Sequence, residues 1–303
     1  DEKESALLKQ IEVAEKSQDA TQIMTAQAFY LQNSVKKTKE FEVKYQSLRQ
    51  SYEKAKYAEA FLGLKALALE PKASQALRKQ AADLALDTLV LTKDDEKLRA
   101  TSLEFSQVFK GHGDQDYAQI YQKTLLTESA KLASGNQPEL AYAALLKFDS
   151  KVATDADRVI LLKNKILLSQ KLGHYSEART FADELLQMKS LTAADQDFAW
   201  AQKAYLAELF LDFKTARAAT EKVQVKTAPE EKTKNIKLVL FSEILGEKAT
   251  KEYLELLKKS SDEPERTQLL SRLIRNSANP EAELLKAKNQ FGSSPETYSR
   301  LAL

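Results

Sequence analysis

The sequence predicts an all-α protein built from helix pairs stacked in series. Glycine and proline are scarce, seven and six in 303 residues, against average usage of about 7% and 5%. Strands joined by tight turns need such residues far more often. Ala, Leu, Lys, Glu and Gln dominate instead, and these lose the least entropy in a helix. Between the breaks, apolar residues recur at three and four. Val159, Leu162 and Ile166 form one such row, with Ile160 and Leu167 widening it; Leu77, Ala81 and Leu84 form another, extended by Leu86, Leu89 and Leu91. That spacing is helical amphipathicity.

Punctuation places the elements in order. Helices over 3–17, 20–34, 38–54 and 57–69 precede Pro71, and Gly63 is the one glycine inside a strong helical pattern. Helices 74–91 and 95–109 lie between Pro71 and Gly111/Gly113, and 116–134 ends at Gly135. Pro138 with Glu139 opens 138–149: a proline's missing N–H is harmless at the first position, and the acid favours the helix's positive end. Gly173 divides 155–172 from 175–188. Helices 193–210 and 213–223 lead to Pro229, which with Glu230 and Glu231 marks the start of 230–245. Gly246 precedes 248–259, and Pro264 sits at the start of 263–276. Asn279 is an N-cap for the helix opened by Pro280 and Glu281, 280–290. A short last helix starts from 295, beyond Gly292.

Sixteen helices before the last make about eight pairs of about 38 residues. Short connections force neighbours to be antiparallel. A pair that is apolar on more than one side cannot bury itself alone and must stack on the next. No Ser/Pro-rich linker interrupts the series, so 1–303 is expected to form one continuous array.

Three stretches carry a recognisable motif, about 41–72, 159–190 and 197–229. In the second, Gly173-His174-Tyr175-Ser176-Glu177-Ala178 is followed by Ala182 and Leu185. In the third, Trp200 and Ala204 hold a large and a small first-helix position, Phe213 the aromatic, Ala216 the small contact residue and Pro229 the close. Ala178 and Ala216 are 38 residues apart. In the first stretch the row is Tyr57, Ala60, Leu64, Leu67 and Pro71. These runs resemble the tetratricopeptide repeat (TPR) family, over about a third of the chain. Ile166 and Leu48 stand where that pattern wants a small residue. The resemblance implies a right-handed α-solenoid whose first helices line a concave groove, with Trp200 in the packed interior.

Composition excludes several classes. With 46 basic and 44 acidic side chains the net charge is +2, without the basic excess of a nucleic-acid binder. The Lys36, Lys37, Lys39 cluster and Lys258 with Lys259 have Glu40, Glu42 and Glu255 beside them and read as solvated faces. There is no cysteine, which removes disulfides and thiolate chemistry and fits an exported or a cytosolic protein alike. The first residue, Asp1, leans towards an exported, periplasmic setting, with a cytoplasmic one as the alternative. No apolar run approaches the ~18 residues of a membrane span.

Catalytic and metal chemistry finds little material. His112, in Gly111-His112-Gly113, and His174, in a helix-pair turn, are the two histidines, and neither has a second at metal-ligand spacing. Nucleophile elbows and phosphate-cradling glycine loops are absent. Glu128-Ser129 matches the acid of some superhelical peptidoglycan-cleaving transglycosylases, but the segment that follows does not, and Thr124, Thr127 and Glu128 read as a polar helix face. No enzyme, metal or cofactor is expected.

The expected function is a non-catalytic scaffold that binds a peptide or protein segment. The groove candidates are Tyr45, Arg49 and Tyr52; Lys163, Gln170 and Lys171; and Tyr205 and Glu208. Tyr and Arg dominate interface energies, and Lys163 with Lys171 could clamp a partner's carboxylate. Two alternatives stay open. One is an architectural part of a cell-envelope or motility assembly, joined through its ends (Leu301 and Leu303) or convex face. The remoter one is an accessory region of a peptidoglycan-active enzyme. Partner identity and oligomeric state are not legible.

Overall fold

The computed structural model describes residues 2–111 and 114–291. Among them are sixteen helices and no strand. The first three pairs are α1 (Glu2–Ser17) with α2 (Ala20–Asn33), α3 (Glu40–Glu53) with α4 (Tyr57–Leu69), and α5 (Gln75–Thr92) with α6 (Asp95–Val108), and α7 (Asp114–Ser134) and α8 (Pro138–Leu146) follow in the chain. Next come α9 (Asp155–Lys171) with α10 (Tyr175–Gln187), and α11 (Ala193–Leu209) with α12 (Phe213–Lys222). The last are α13 (Ala228–Leu245) with α14 (Thr250–Lys259), and α15 (Glu263–Arg275) with α16 (Pro280–Phe291). The helix expected from 295, and Leu301 and Leu303, lie outside the described residues.

Each expected helix up to 290 is present, with shifted ends. α8 stops at Leu146 instead of 149. The Asp149 amide donates to Gln122 Oε1 at 2.9 Å and its carboxylate accepts from the Lys151 amide at 2.9 Å, an Asx turn that competes with the helix. α13 starts at Ala228, ahead of Pro229, because Thr227 and Glu230 form a reciprocal capping box. Asn279 caps α16 as expected, accepting from the Ala282 amide at 3.1 Å.

One turn recurs at the heart of the pairs. Ala55, Lys93, Asn136, Gly173, Leu211 and Gly246 all adopt left-handed backbone, with φ between 56° and 77°. After each, the next amide reaches back five residues. Lys56 bonds Ser51 O, Asp94 bonds Leu89 O, Gln137 bonds Leu132 O, His174 bonds Ser169 O, Asp212 bonds Ala207 O and Glu247 bonds Ser242 O, all at 2.7–3.0 Å. This is the Schellman closure of a helix end. Its repetition every 35 to 43 residues sets the period of the protein.

The chain divides into two compact units, residues 1–130 with 146–154 and residues 131–145 with 155–303. In the first, Leu7, Ile11, Tyr30 and Val43 join α1, α2 and α3. A larger core of Ala60, Leu64, Ala81, Ala85, Phe105 and Tyr117 runs from α4 to α7, and Phe41, Tyr45 and Leu48 of α3 pack onto it. Burying each of the larger side chains stabilises by about 1.5–3 kcal/mol. Gly63 has a packing reason: a Cβ there would lie 2.2 Å from Leu48 Cδ2, so glycine lets α4 close on α3.

In the second unit, Val159, Leu162, Ile166, Ala178, Ala182, Leu185 and Leu206 bind α9, α10 and α11. Ala207, Ala216 and Phe241 carry the seam from α11 and α12 to α13. Tyr253, Leu256, Leu270 and Leu273 continue it through α14 and α15. Within each unit, hairpins share apolar surface in series.

Candidate functional site

First helices of successive pairs lie against each other: α3 touches α5, and α9 touches α11. Polar rungs join them. In the second unit Lys163 Nζ lies 2.8 Å from Asp195 Oδ1, Gln170 Nε2 donates to Gln202 Oε1 at 2.6 Å, and Lys237 Nζ reaches Glu208 Oε2 at 2.8 Å. The hydrogen bond from Lys163, then that from Thr192, holds the Asp195 carboxyl below the usual aspartate range. In the first unit the Tyr52 hydroxyl donates to Asp87, and that of Tyr117 to Asp83 at 2.8 Å. The Asp87 hydrogen bond, then burial, pushes the Tyr52 phenol up to about 12.

These rungs use four of the eight expected groove residues, Tyr52, Lys163, Gln170 and Glu208. Tyr45 is half-buried against the core of the first unit. Arg49 is exposed and pairs at 3.0 Å with Glu53 of its own helix. Tyr52 is tied to Asp87 and meets the Tyr57 ring edge-on at 5.8 Å. Lys163, besides Asp195, lies 5.2 Å over the Phe198 ring, and Lys171 donates to Asn136 Oδ1 at 3.1 Å. Gln170 and Glu208 bond the next first helix. Tyr205 is exposed. The structure therefore brings Lys163, Gln170, Tyr205 and Glu208 onto adjoining helices of one wall. Tyr45, Arg49 and Tyr52 belong to the other unit.

The same wall holds an apolar lane that reading for charge and tyrosine missed. Ile160 and Leu167 lie seven residues apart on α9, Tyr205 and Leu209 four apart on α11, and Ile236, Leu240 and Ile244 at successive fours on α13. All seven are 38–57% exposed. Four- and seven-residue spacings share one helix face. The signal was present in the sequence: Ile160 and Leu167 widen the α9 stripe beyond what one buried seam requires.

Beside Tyr205 a cleft of roughly 550 Å³ opens between α11, the end of α12 and the start of α13. Ala201, Ala204, Val223, Val225 and Pro229 line it, with Asp197, Lys226, Glu230, Lys234 and Lys237 among its polar groups.

Residues considered for catalysis are otherwise engaged. Glu128 pairs with Arg99, and its neighbour Ser129 is buried. His174 is exposed, 6.1 Å from the Tyr142 ring, and 4.0 Å from Glu177. His112 lies outside the described residues. Among the described residues no three His, Cys, Asp or Glu side chains gather as a metal would need, and no helix is long and apolar enough to cross a membrane.

Ala178 and Ala216, one period apart, are each fully buried where hairpins cross, and each follows the same left-handed turn. Trp200, expected in the interior, is only half-buried, with Lys203 Nζ 5.8 Å from its ring. Ala199 and Leu206 take the inward positions, because they and not Trp200 share the face that meets Val159, Leu162 and Ile166.

No family model matches the chain, and no curated protein matches significantly. Solved structures similar to it include a tetratricopeptide repeat protein from Parabacteroides merdae, 10% identical, TM-score 0.32, covering 90% of this chain and 100% of that one. PilW, a type IV pilus biogenesis factor, is 15% identical with TM-score 0.29, over 87% of this chain and 99% of its own. The Naa15/Naa10 structure with HypK-THB matches at 13% identity and TM-score 0.37, over 96% of this chain and 54% of that one. Likenesses this distant assign neither partner nor compartment to this chain.

Proposed function

We propose that the protein is a non-catalytic scaffold, one continuous TPR-like array, that binds a protein segment along the first helices of its later pairs. The apolar lane from Ile160 to Ile244 carries this reading. Soluble surfaces scatter single apolar residues, whereas a lane repeated on α9, α11 and α13 at helical spacing marks a contact surface. Charges beside it, Lys163 with Asp195 and Glu208 with Lys237, form rungs between helices that stiffen the wall. Binding energy comes from the lane, which presents rigid aliphatic groups at little further entropy cost.

The test is affinity purification from the native host with the parent protein and a Leu167→Ser/Leu240→Ser variant. Both residues are half-exposed, so melting temperature should hold while a protein recovered with the parent is lost. Identical recovery would overturn the wall.

One observation favours contact through an end. Val13 of α1 is well exposed beside a hollow of roughly 510 Å³ that also takes in Ala6, Gln10, Ala14 and Gln22. Val13→Asp abolishing recovery, with the lane variant harmless, would favour the architectural reading.

A further inference from the structure

We propose that a cavity among α1, α2 and α3 holds one arginine side chain of a partner protein. The cavity belongs to the first compact unit and the apolar lane to the second, and neither reading rests on the other. Its volume is roughly 260 Å³, below the pockets of about 300–1,000 Å³ that bury drug-sized ligands. That leaves room for a single side chain. The sequence of α2 creates it. Gln27 and Tyr30, three residues apart, share the inward face of the helix, and both are buried. Tyr30 packs its ring with Leu7, Ile11 and Val43, while its hydroxyl donates to Glu4 and accepts from the Lys39 amide. One turn earlier the shorter Gln27 leaves a gap, floored by Leu8, Ile11 and Val43. Gln27 is only 1% exposed, yet its Oε1 accepts no hydrogen bond among the described residues. A buried acceptor without a donor destabilises the fold, and a donor entering the cavity removes that cost.

The charge at the rim decides what kind of donor enters. Glu12, Glu15 and Glu42 line the cavity against Lys39. Glu12 is taken by Lys16, 2.6 Å away on its own helix. Glu15 and Glu42 form no ion pair among the described residues, and Lys39 alone opposes the two of them, so one negative charge is left over. The C-terminal end of α1 and the N-terminal end of α3 both border the opening, and their dipoles oppose each other. The side chains therefore set its sign, and a cation is attracted. Arginine suits the site better than lysine. Its planar head carries several N–H donors in a fixed fork, enough for Gln27 Oε1 and a rim carboxylate together, and it is more weakly hydrated than an ammonium. Its stem would lie on the floor, where Ile11 and Val43 are each buried, while the head meets the exposed acids.

The experiment is an NMR titration of the full chain, following the Gln27 side-chain amide and the backbone amides of Glu15 and Glu42. The probes are capped Gly-Arg-Gly, Gly-citrulline-Gly and Gly-Lys-Gly and, separately, free L-arginine. Citrulline keeps the shape of arginine and removes its charge. The arginine peptide should shift these signals saturably and bind about fivefold more tightly than the citrulline peptide, as one exposed charge contact allows. The lysine peptide should bind more weakly than the arginine peptide, because a point charge cannot span amide and carboxylate as a fork does. Gln27→Leu removes the orphaned acceptor and should abolish the backbone shifts without lowering the melting temperature. Glu15→Gln/Glu42→Gln, a surface variant that leaves the core intact, should reduce the arginine peptide to the affinity of the citrulline peptide. Absent shifts, equal binding of all three peptides, or arginine binding untouched by Gln27→Leu overturn the proposal. Tighter binding of free L-arginine than of the arginine peptide would make the occupant a small molecule and overturn it as well. All of these are read on the isolated chain, so the outcome for the apolar lane does not bear on them.

Discussion

The Tyr117 hydroxyl donates a 2.8 Å hydrogen bond to the carboxylate of Asp83, tying α7 to α5 across 34 residues. Tyr52 makes the same bond to Asp87 across 35, and Tyr142 to Glu177 across 35. Each spans one repeat, so a tyrosine on one hairpin reads the register of a neighbouring one. Removing the Tyr117 hydroxyl leaves an acceptor that water can reach, since Asp83 is exposed. Tyr117→Phe should destabilise by about 1 kcal/mol, measured by urea denaturation; no change would mean the rung holds nothing.

These tyrosines give an alkaline signature. The Tyr52 phenol is raised to about 12 by its bond to Asp87, from an ordinary value near 10. A group raised on folding contributes stability that is fully present below its unfolded pKa and lost as pH rises through the folded one. Stability should therefore fall between about pH 10 and pH 12, and Tyr52→Phe should make that fall shallower. A parallel pair of stability profiles would contradict this.

At the other end of the scale stands Glu4. Its carboxylate accepts from the hydroxyls of Ser34, Tyr30 (2.7 Å) and Thr38 (2.9 Å) and from the Thr38 amide, pinning α1 to the end of α2. The Ser34 bond first, then those of Tyr30 and Thr38, lower its pKa to about 2. A depressed carboxyl stabilises above its unfolded value and loses that contribution as pH falls through the folded one. Hydrogen exchange in α1 should quicken as pH falls from about 4.5 to about 2, beyond the intrinsic trend. Glu4→Gln should exchange quickly at both ends of that range.

Leu211 occupies left-handed backbone, φ 57°, while 72% exposed. A non-glycine residue there costs about 1–2 kcal/mol, and little packing offsets it. Leu211→Gly should raise stability by about 1 kcal/mol, seen as a higher melting temperature. A lower one would show that Leu211 makes a contact worth more than the strain.

Ala178 is fully buried among α9, α10 and α11. Ala178→Leu should destabilise by about 1–3 kcal/mol through overpacking, read from chemical denaturation. A neutral result would mean that the hairpins separate freely at that crossing.

The helices were legible because periodicity and glycine scarcity are local properties. Ile166 and Leu162 announce a buried face from their spacing alone, and Asn279 before Pro280 announces a cap. The turns were only partly legible. Gly173 and Gly246 reveal left-handed backbone, but Ala55, Lys93 and Leu211 adopt it without any residue preference to advertise it, held by the five-residue amide bond. The wall was less legible still. Lys163 and Glu208 read as partner contacts because nothing local shows that Asp195 and Lys237 lie beside them. Trp200 read as interior because the motif placed it, while the packing of α11 gave that place to Ala199 and Leu206.

Sequence by itself determined that this chain is a series of amphipathic helix pairs with a period near 38 residues, since helix propensity and apolar spacing act within a few turns. The tertiary structure alone decided which charges meet each other and which apolar residues are left to face outward. Stacking brings together groups some thirty residues apart, and only that packing consumes the lysines and acids of the wall while leaving Ile160, Leu167, Leu240 and Ile244 uncovered.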